Sequence, residues 1–260
     1  MSNRQEESSV RNVHTFILAL ILMIGLAVCL AQPASAIDGD ELLRTIDNNL
    51  APESYESYRK IINIEPNGSK REYTLYTVKK GQDRIASVFL APTSDKGRAT
   101  LRLGENMWLH IPNVGKPVRI TSLQSVTGGI FNNADIMRLD FHVEYSVEGV
   151  EDKGESHLLR LKAKTREVAY DRLEMLVDKK ALVPTEIKCL AASGMLIKTL
   201  YFKKPTDFGD GFMRPAVIET DSPLHKGYKS VMIFAKVQRR DLPDEVFTLN
   251  YLPRVESLRQ

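Results

Sequence analysis

From Tyr55 onward the chain is written in a period of two, and that pattern limits the folds open to it. In the stretch Asn106–Pro112, Met107, Leu109 and Ile111 alternate with Asn106, Trp108 and His110. In Arg98–Leu103, Ala99, Leu101 and Leu103 alternate with Arg98, Thr100 and Arg102. Successive strand side chains point to opposite faces, so the pattern predicts strands with one apolar and one wetter face. The runs Tyr58–Ile64 and Glu72–Lys79 flank Pro66-Asn67-Gly68-Ser69, and an Asn-Gly step between β-rich runs is a strong hairpin signal. Further strands are expected at Arg84–Ala91, Phe141–Val147, Glu155–Ala163, Arg172–Val177, Thr185–Ala191, Met195–Phe202, Ala216–Asp221 and Lys229–Val237. Gly, Pro, Asp and Asn punctuate most gaps, as in Gly81-Gln82-Asp83 and Ser193-Gly194. Gaps of hairpin length between this many strands give an antiparallel meander and not βαβ units. A sheet that long must curl or close.

Three segments break the rhythm. Asp38–Leu50 reads as an amphipathic helix, with Asp38 or Asp40 as cap and Leu42, Leu43, Ile46 and Leu50 on one face. Within Thr121–Asp140, Ala134–Leu139 reads as one or two helical turns capped by Asn132 or Asn133, and Gly128-Gly129 permits an irregular loop before it. Asp244–Asn250 is a further helix candidate after Leu242-Pro243.

The first residues carry an address. A polar start with Arg4 and Arg11 precedes an apolar run of 16 residues, Phe16–Ala31, and then Gln32-Pro33-Ala34-Ser35-Ala36. That order is a secretory signal with a small-x-small cleavage site, so residues 1–36 are expected to be removed after Ala36 and the rest to work in the periplasm. Sixteen helical residues reach about 24 Å, short of the ~30 Å hydrocarbon core, which disfavours a retained anchor. Leu26-Ala27-Val28-Cys29 loosely resembles a lipobox, but Val28 is bulky where a small residue is required, so lipidation at Cys29 is not expected. Residues 37–260 are then one domain by length. Cys189 is their lone cysteine, which excludes an internal disulfide and suits a buried small hydrophobe.

Composition and motifs exclude more than they assign. A net charge of +3, with basic residues alternating with apolar ones along strands, is no nucleic-acid footprint. GxSxG, HExxH and P-loop motifs are absent from the sequence. His110, His142, His157 and His225 stand apart, without metal-ligand spacing. Ser122 and Ser125 have no base nearby in sequence, and Asp135, Asp140 and Asp171 suit turns and caps. No catalytic residue, metal or cofactor is expected. A curled sheet with covering helices has instead an apolar side to fill, by its own side chains or by a ligand. The segment Thr121–Asp140 would be its lid.

These residues resemble the LolA-like outer-membrane lipoprotein-sorting proteins, in particular their larger periplasmic branch. The resemblance rests on Ser57-Tyr58-Arg59 with Gly68 and Lys70, on Phe89-Leu90-Ala91-Pro92 and Gly97, and on Asn106-Met107-Trp108-Leu109-His110-Ile111-Pro112 with Arg119-Ile120. It continues through Ser122–Asp140, with Gly128, Phe131, Asp135, Ile136 and Asp140, to Phe247-Thr248-Leu249-Asn250-Tyr251-Leu252. It implies a mainly β protein with a few short helices, its strongly curved antiparallel sheet forming an incomplete barrel closed by helices. It also implies acylated lipoprotein or lipid cargo, peripheral membrane contact and a companion inner-membrane transporter. An arginine that helps hold the lid is a further family property, and its position here stays open. Phe89, Leu101, Met107, Leu109, Ile111 and Phe131 are the expected pocket or lid residues, with Trp108 at the rim. Two rival readings are a transporter accessory subunit that binds no lipid, and a lipid or cell-wall hydrolase.

Overall fold

The computed structural model describes residues 37–259. The expected signal segment, its expected cleavage site and Cys29 lie outside the described residues. Helix α1 (Gly39–Leu50) opens the fold. Asp38 caps it, its carboxylate accepting from the Asp40 and Glu41 amides at 3.0 and 3.2 Å. Leu42, Leu43, Ile46 and Leu50 are buried on one face, as their spacing predicts, and Asp47 is buried with them.

Thirteen strands follow in one antiparallel sheet. The first meander comprises β1 (Ser54–Ile64), β2 (Lys70–Lys80), β3 (Arg84–Ala91), β4 (Ala99–Leu103), β5 (Asn106–His110) and β6 (Val118–Ile120). The second comprises β7 (Tyr145–Lys153), β8 (Ser156–Ala163), β9 (Arg172–Asp178), β10 (Pro184–Leu190), β11 (Leu196–Asp207), β12 (Met213–Asp221) and β13 (Lys229–Arg239). The spatial order runs β6 to β1, then β13 back to β7, so the two meanders join where β1 pairs with β13. Asn67-Gly68 forms the β1–β2 turn, with Gly68 at φ 84° and its amide on the Glu65 carbonyl at 2.9 Å.

Two short helices, α2 (Asn133–Ile136) and α3 (Phe141–Glu144), sit between the meanders in a covering segment, residues 121–144. Asn132 caps α2 in a reciprocal box with Asp135. The expectation of a strand from Phe141 is corrected here. The Asp47 carboxylate accepts from the Phe141 and His142 amides at 2.8 and 2.9 Å, which turns those residues into α3 and delays β7 to Tyr145. Strand β11 also outruns its expected end at Phe202 and reaches Asp207, with Pro205 paired opposite Pro215. At the C-terminus, Asp244–Phe247 and Leu252–Leu258 are 3-10 turns.

The expectation of one dry and one wetter face holds along β5, where Met107 and Leu109 are buried between the exposed Asn106 and the half-buried Trp108 and His110. It is corrected in the neighbouring strands, where both faces are buried over Leu75–Lys79, Ile85–Phe89 and Ala99–Arg102. The main core fills one face, with Ile61, Leu75, Phe89 and Met107 under the covering segment. A second cluster fills the other, where Tyr76, Val78 and Leu101 meet Leu242, Phe247, Leu252 and Val255 of the C-terminal turns. Glu56 of β1 anchors those turns through Arg240, whose guanidinium also donates to the Leu258 carbonyl at 2.7 Å.

Candidate functional site

The covering segment is fastened mostly by side chains. Three of its carboxylates each meet a buried cation from a different strand. Asp135 meets Lys198 of β11 at 2.7 Å, Asp140 meets Lys79 of β2, and Glu144 meets Arg102 of β4. The same cations also hold carbonyls, Lys198 that of Ile130 and Arg102 that of Met137 at 2.9 Å. Arg59 of β1 donates to the Ile136 carbonyl at 2.6 Å and to the Thr77 hydroxyl at 2.6 Å. At the front edge, Asn63 of β1 donates to the Thr127 and Gly128 carbonyls, both at 3.0 Å. Ser230 of β13 accepts from the Ile130 amide and donates to Asn63. Between these tethers Phe131, Ile136, Met137, Leu139 and Phe141 turn into the main core.

Arg59, Lys79, Arg102, Lys198 and Arg214 are all 6% exposed or less. The reading of basic strand residues as a solvated face therefore fails at these positions, because the cover occupies the space that solvent would. Parity in the sequence carries the missed signal. Arg59 shares its face with Tyr55 and Ile61, and Lys79 shares its face with Leu75.

Beneath the cover lies a cavity lined by Tyr55, Phe131, Ile136, Phe234 and three arginines, Arg59, Arg138 and Arg214. Its free volume is about 50 Å³. That is room for about three or four waters, against the roughly 300–1,000 Å³ of an ordinary ligand pocket. Burial pushes the Arg214 guanidinium down to about 9, and the like charges of Arg138 and Arg59 push the same way. Arg59 is lowered too, mainly by burial. A guanidinium keeps its charge at neutral pH. Burial likewise pushes up the Tyr145 and Tyr170 hydroxyls and the Cys189 thiol, so this thiol is inert.

A family model described as "Uncharacterized protein" matches residues 81–254, more than half of the chain. A LolA superfamily protein from Nitrosomonas europaea superimposes with a TM-score of 0.76 at 27% identity, over 84% of this chain and 100% of that one. The chain belongs to the family of that model and has the LolA-superfamily fold. Two other structures share the fold. A domain described as an outer membrane lipoprotein-sorting protein, from Vibrio parahaemolyticus, gives a TM-score of 0.70 at 18% identity, over 83% of this chain and 98% of that one. A DUF1329 family protein from Desulfovibrio piger gives 0.71 at 22% identity, over 82% and 97%. No curated protein matches the sequence.

Within this LolA-like fold the residues singled out from sequence separate. Phe131, on the cover, lines the cavity. Phe89 and Met107 lie in the same core, Phe89 edge-on to Tyr73 at 5.8 Å between centroids. Leu101 and Trp108 are register partners on the opposite face, among the C-terminal turns. Leu109 is buried outside both clusters, and Ile111 is half-buried just past β5. Asp135 and Asp140 serve as tethers, and the Ser125 hydroxyl donates to the Phe131 carbonyl at 2.6 Å.

Proposed function

We propose that this chain is a non-enzymatic periplasmic carrier. It holds the acyl chains of lipoproteins or lipids between its core and the covering segment, and passes them toward the outer membrane. One observation carries the reading: the cover has an apolar underside and is fastened by discrete polar tethers, so lifting it exposes a connected apolar surface at once. Residues 37–260 act as one domain after loss of residues 1–36. The sheet curls into an incomplete barrel that the helices close. A hydrogen bond from Thr165, in the β8–β9 connection, to Glu105, at the β4–β5 turn, supports that curvature by linking the two halves of the sheet. Arg59, through the Ile136 carbonyl, is the lid-holding arginine of the LolA-like pattern. Phe131, Phe89 and Met107 meet the chain first. Leu101, Trp108, Leu109 and Ile111 support from the other face or the margin. Val114, Val118 and Leu123, which are exposed near the β6 edge, suit brief contact with a membrane or an inner-membrane transporter. Burial of ten methylenes stabilises a complex by about 8 kcal/mol before costs, enough for reversible carriage.

A second reading has its own support. The small free volume favours a transporter accessory subunit whose interior is simply filled. Native mass spectrometry of the protein from the periplasm, with lipid extraction of the same sample, separates the two. Near-stoichiometric lipid or acylated peptide is the outcome expected of a carrier. An apo mass, with no uptake when lipid is offered, rejects carriage in favour of the accessory role.

A further inference from the structure

The cations around the core are not equivalent. Lys79, Arg102 and Lys198 each answer a carboxylate of the cover, and Arg138 lies 3.5 Å from Asp47. Arg59 and Arg214 have no carboxylate within ion-pair distance among the described residues, although both line the cavity. Arg59 donates to the Ile136 carbonyl and the Thr77 hydroxyl, and at longer range to the Ser87 hydroxyl at 3.5 Å and the Met232 sulfur at 3.9 Å, all neutral acceptors, and its buried Nε is unpartnered. Arg214 makes one long hydrogen bond, Nε to the Pro215 carbonyl at 3.4 Å. The two guanidinium carbons share the Phe234 ring, at 5.7 and 4.0 Å from its centroid. Cation–π attraction offsets only part of the cost of burying two like charges without a counter-ion. The acids that do border the cavity, Asp135 and Glu144, are already engaged by Lys198 and Arg102.

We propose that Arg59 and Arg214 form an anion subsite that receives the ionised carboxylate of a fatty acid whose chain lies along the apolar walls beneath the cover. This rests on the acyl-chain reading above and narrows it from acyl chains in general to a ligand with a charged end. A guanidinium fork matches a carboxylate in shape, and two forks on one wall supply donors that the protein itself leaves underused. The cavity they line has about 50 Å³ of free space, the size of a carboxylate group and not of a substituted phosphodiester. The neutral ester and amide ends of an acylated peptide would leave both charges uncompensated.

The test is titration of the delipidated intact protein with dodecanoate and with 1-dodecanol at pH 8, by displacement of an uncharged fluorescent acyl probe. Dodecanoate is expected to bind at least about tenfold tighter, the worth of a charge-assisted hydrogen bond. Arg214→Met should erase most of that preference, the ratio of dodecanoate to dodecanol affinity falling toward one, and Arg214→Lys should keep part of it. Matched melting curves establish that each variant is folded, and Arg59→Met replaces Arg214→Met should the latter not fold. Equal binding of the acid and the alcohol overturns the anion subsite and leaves acyl carriage standing. A preference for the acid that survives both methionine variants also overturns it, since the charge is then read elsewhere. Binding of neither ligand overturns the subsite and the carrier reading together.

Discussion

Single side chains decide how tightly the cover can close. Gly129 has φ +74°, and a Cβ built on it would lie 2.2 Å from the Asn63 carboxamide oxygen. Gly128 has φ +67° and nothing within 4 Å of its Cβ position. Gly129→Ala is therefore expected to cost about 2–3 kcal/mol, and Gly128→Ala about 1 kcal/mol from backbone strain alone, both read by urea denaturation. Glu56 is a residue-scale probe of the opposite face. Burial pushes its carboxyl up, but hydrogen bonds from Arg240, Tyr76 and Lys236 outweigh burial and hold it below the usual carboxylate range. A depressed folded value means stability that is present above the unfolded pKa and lost as pH falls through the folded one. The stability gap between the native protein and Glu56→Gln should be full at pH 7 and shrink below about pH 4, as chemical denaturation across pH would show. Glycine spacing is plain in the sequence. Asn63 as the obstacle to Gly129 is not, because 66 positions separate them.

At the scale of elements, the cover behaves as a set of short turns whose order depends on the sheet beneath. Helix α2 spans residues 133–136 and α3 residues 141–144, far too short to persist alone. Their carboxylates find cations 42 to 63 residues away. Removing one member of such a pair strands a buried charge, so Lys198→Met should destabilise by about 3–5 kcal/mol. Asp135→Asn in the same chain should restore much of that loss, and a double-mutant cycle of unfolding free energies measures the recovery. Additive losses would mean that Lys198 acts through packing and the Ile130 carbonyl alone.

For the whole molecule, the sheet supplies the fixed frame and the cover the part able to move. β1 and β13 pair along most of their length at the centre of the sheet, and β1 pairs with β2 along all of its own. Most of the cover's backbone bonds are local, such as the Asn133 amide to the Gln124 carbonyl at 2.7 Å, and its end is tied by the Lys164 amide to the Glu144 carbonyl at 2.9 Å. Opening free energies follow such differences. Hydrogen exchange should therefore be fast for residues 121–144 and slow for β1 and β13, and a bound acyl ligand should slow the cover selectively. Equal protection of cover and central strands would argue against a lid and for a filled, permanent core.

The sequence by itself determined what local rules govern. Strand positions follow from alternation, the β1–β2 turn from Asn67-Gly68, and the apolar face of α1 from helical spacing under the Asp38 cap. Each depends on neighbours a few residues apart. The inward turn of Arg59, Lys79, Arg102, Lys198 and Arg214 was decided by the tertiary structure. A two-residue period says which side chains share a face, and not which face is covered or by what. The same limit explains α3, where Asp47, distant in sequence, supplies the cap that turns a strand-like run into a helical turn. It explains Leu101 too, whose partner Trp108 holds it on the face closed by the C-terminal turns.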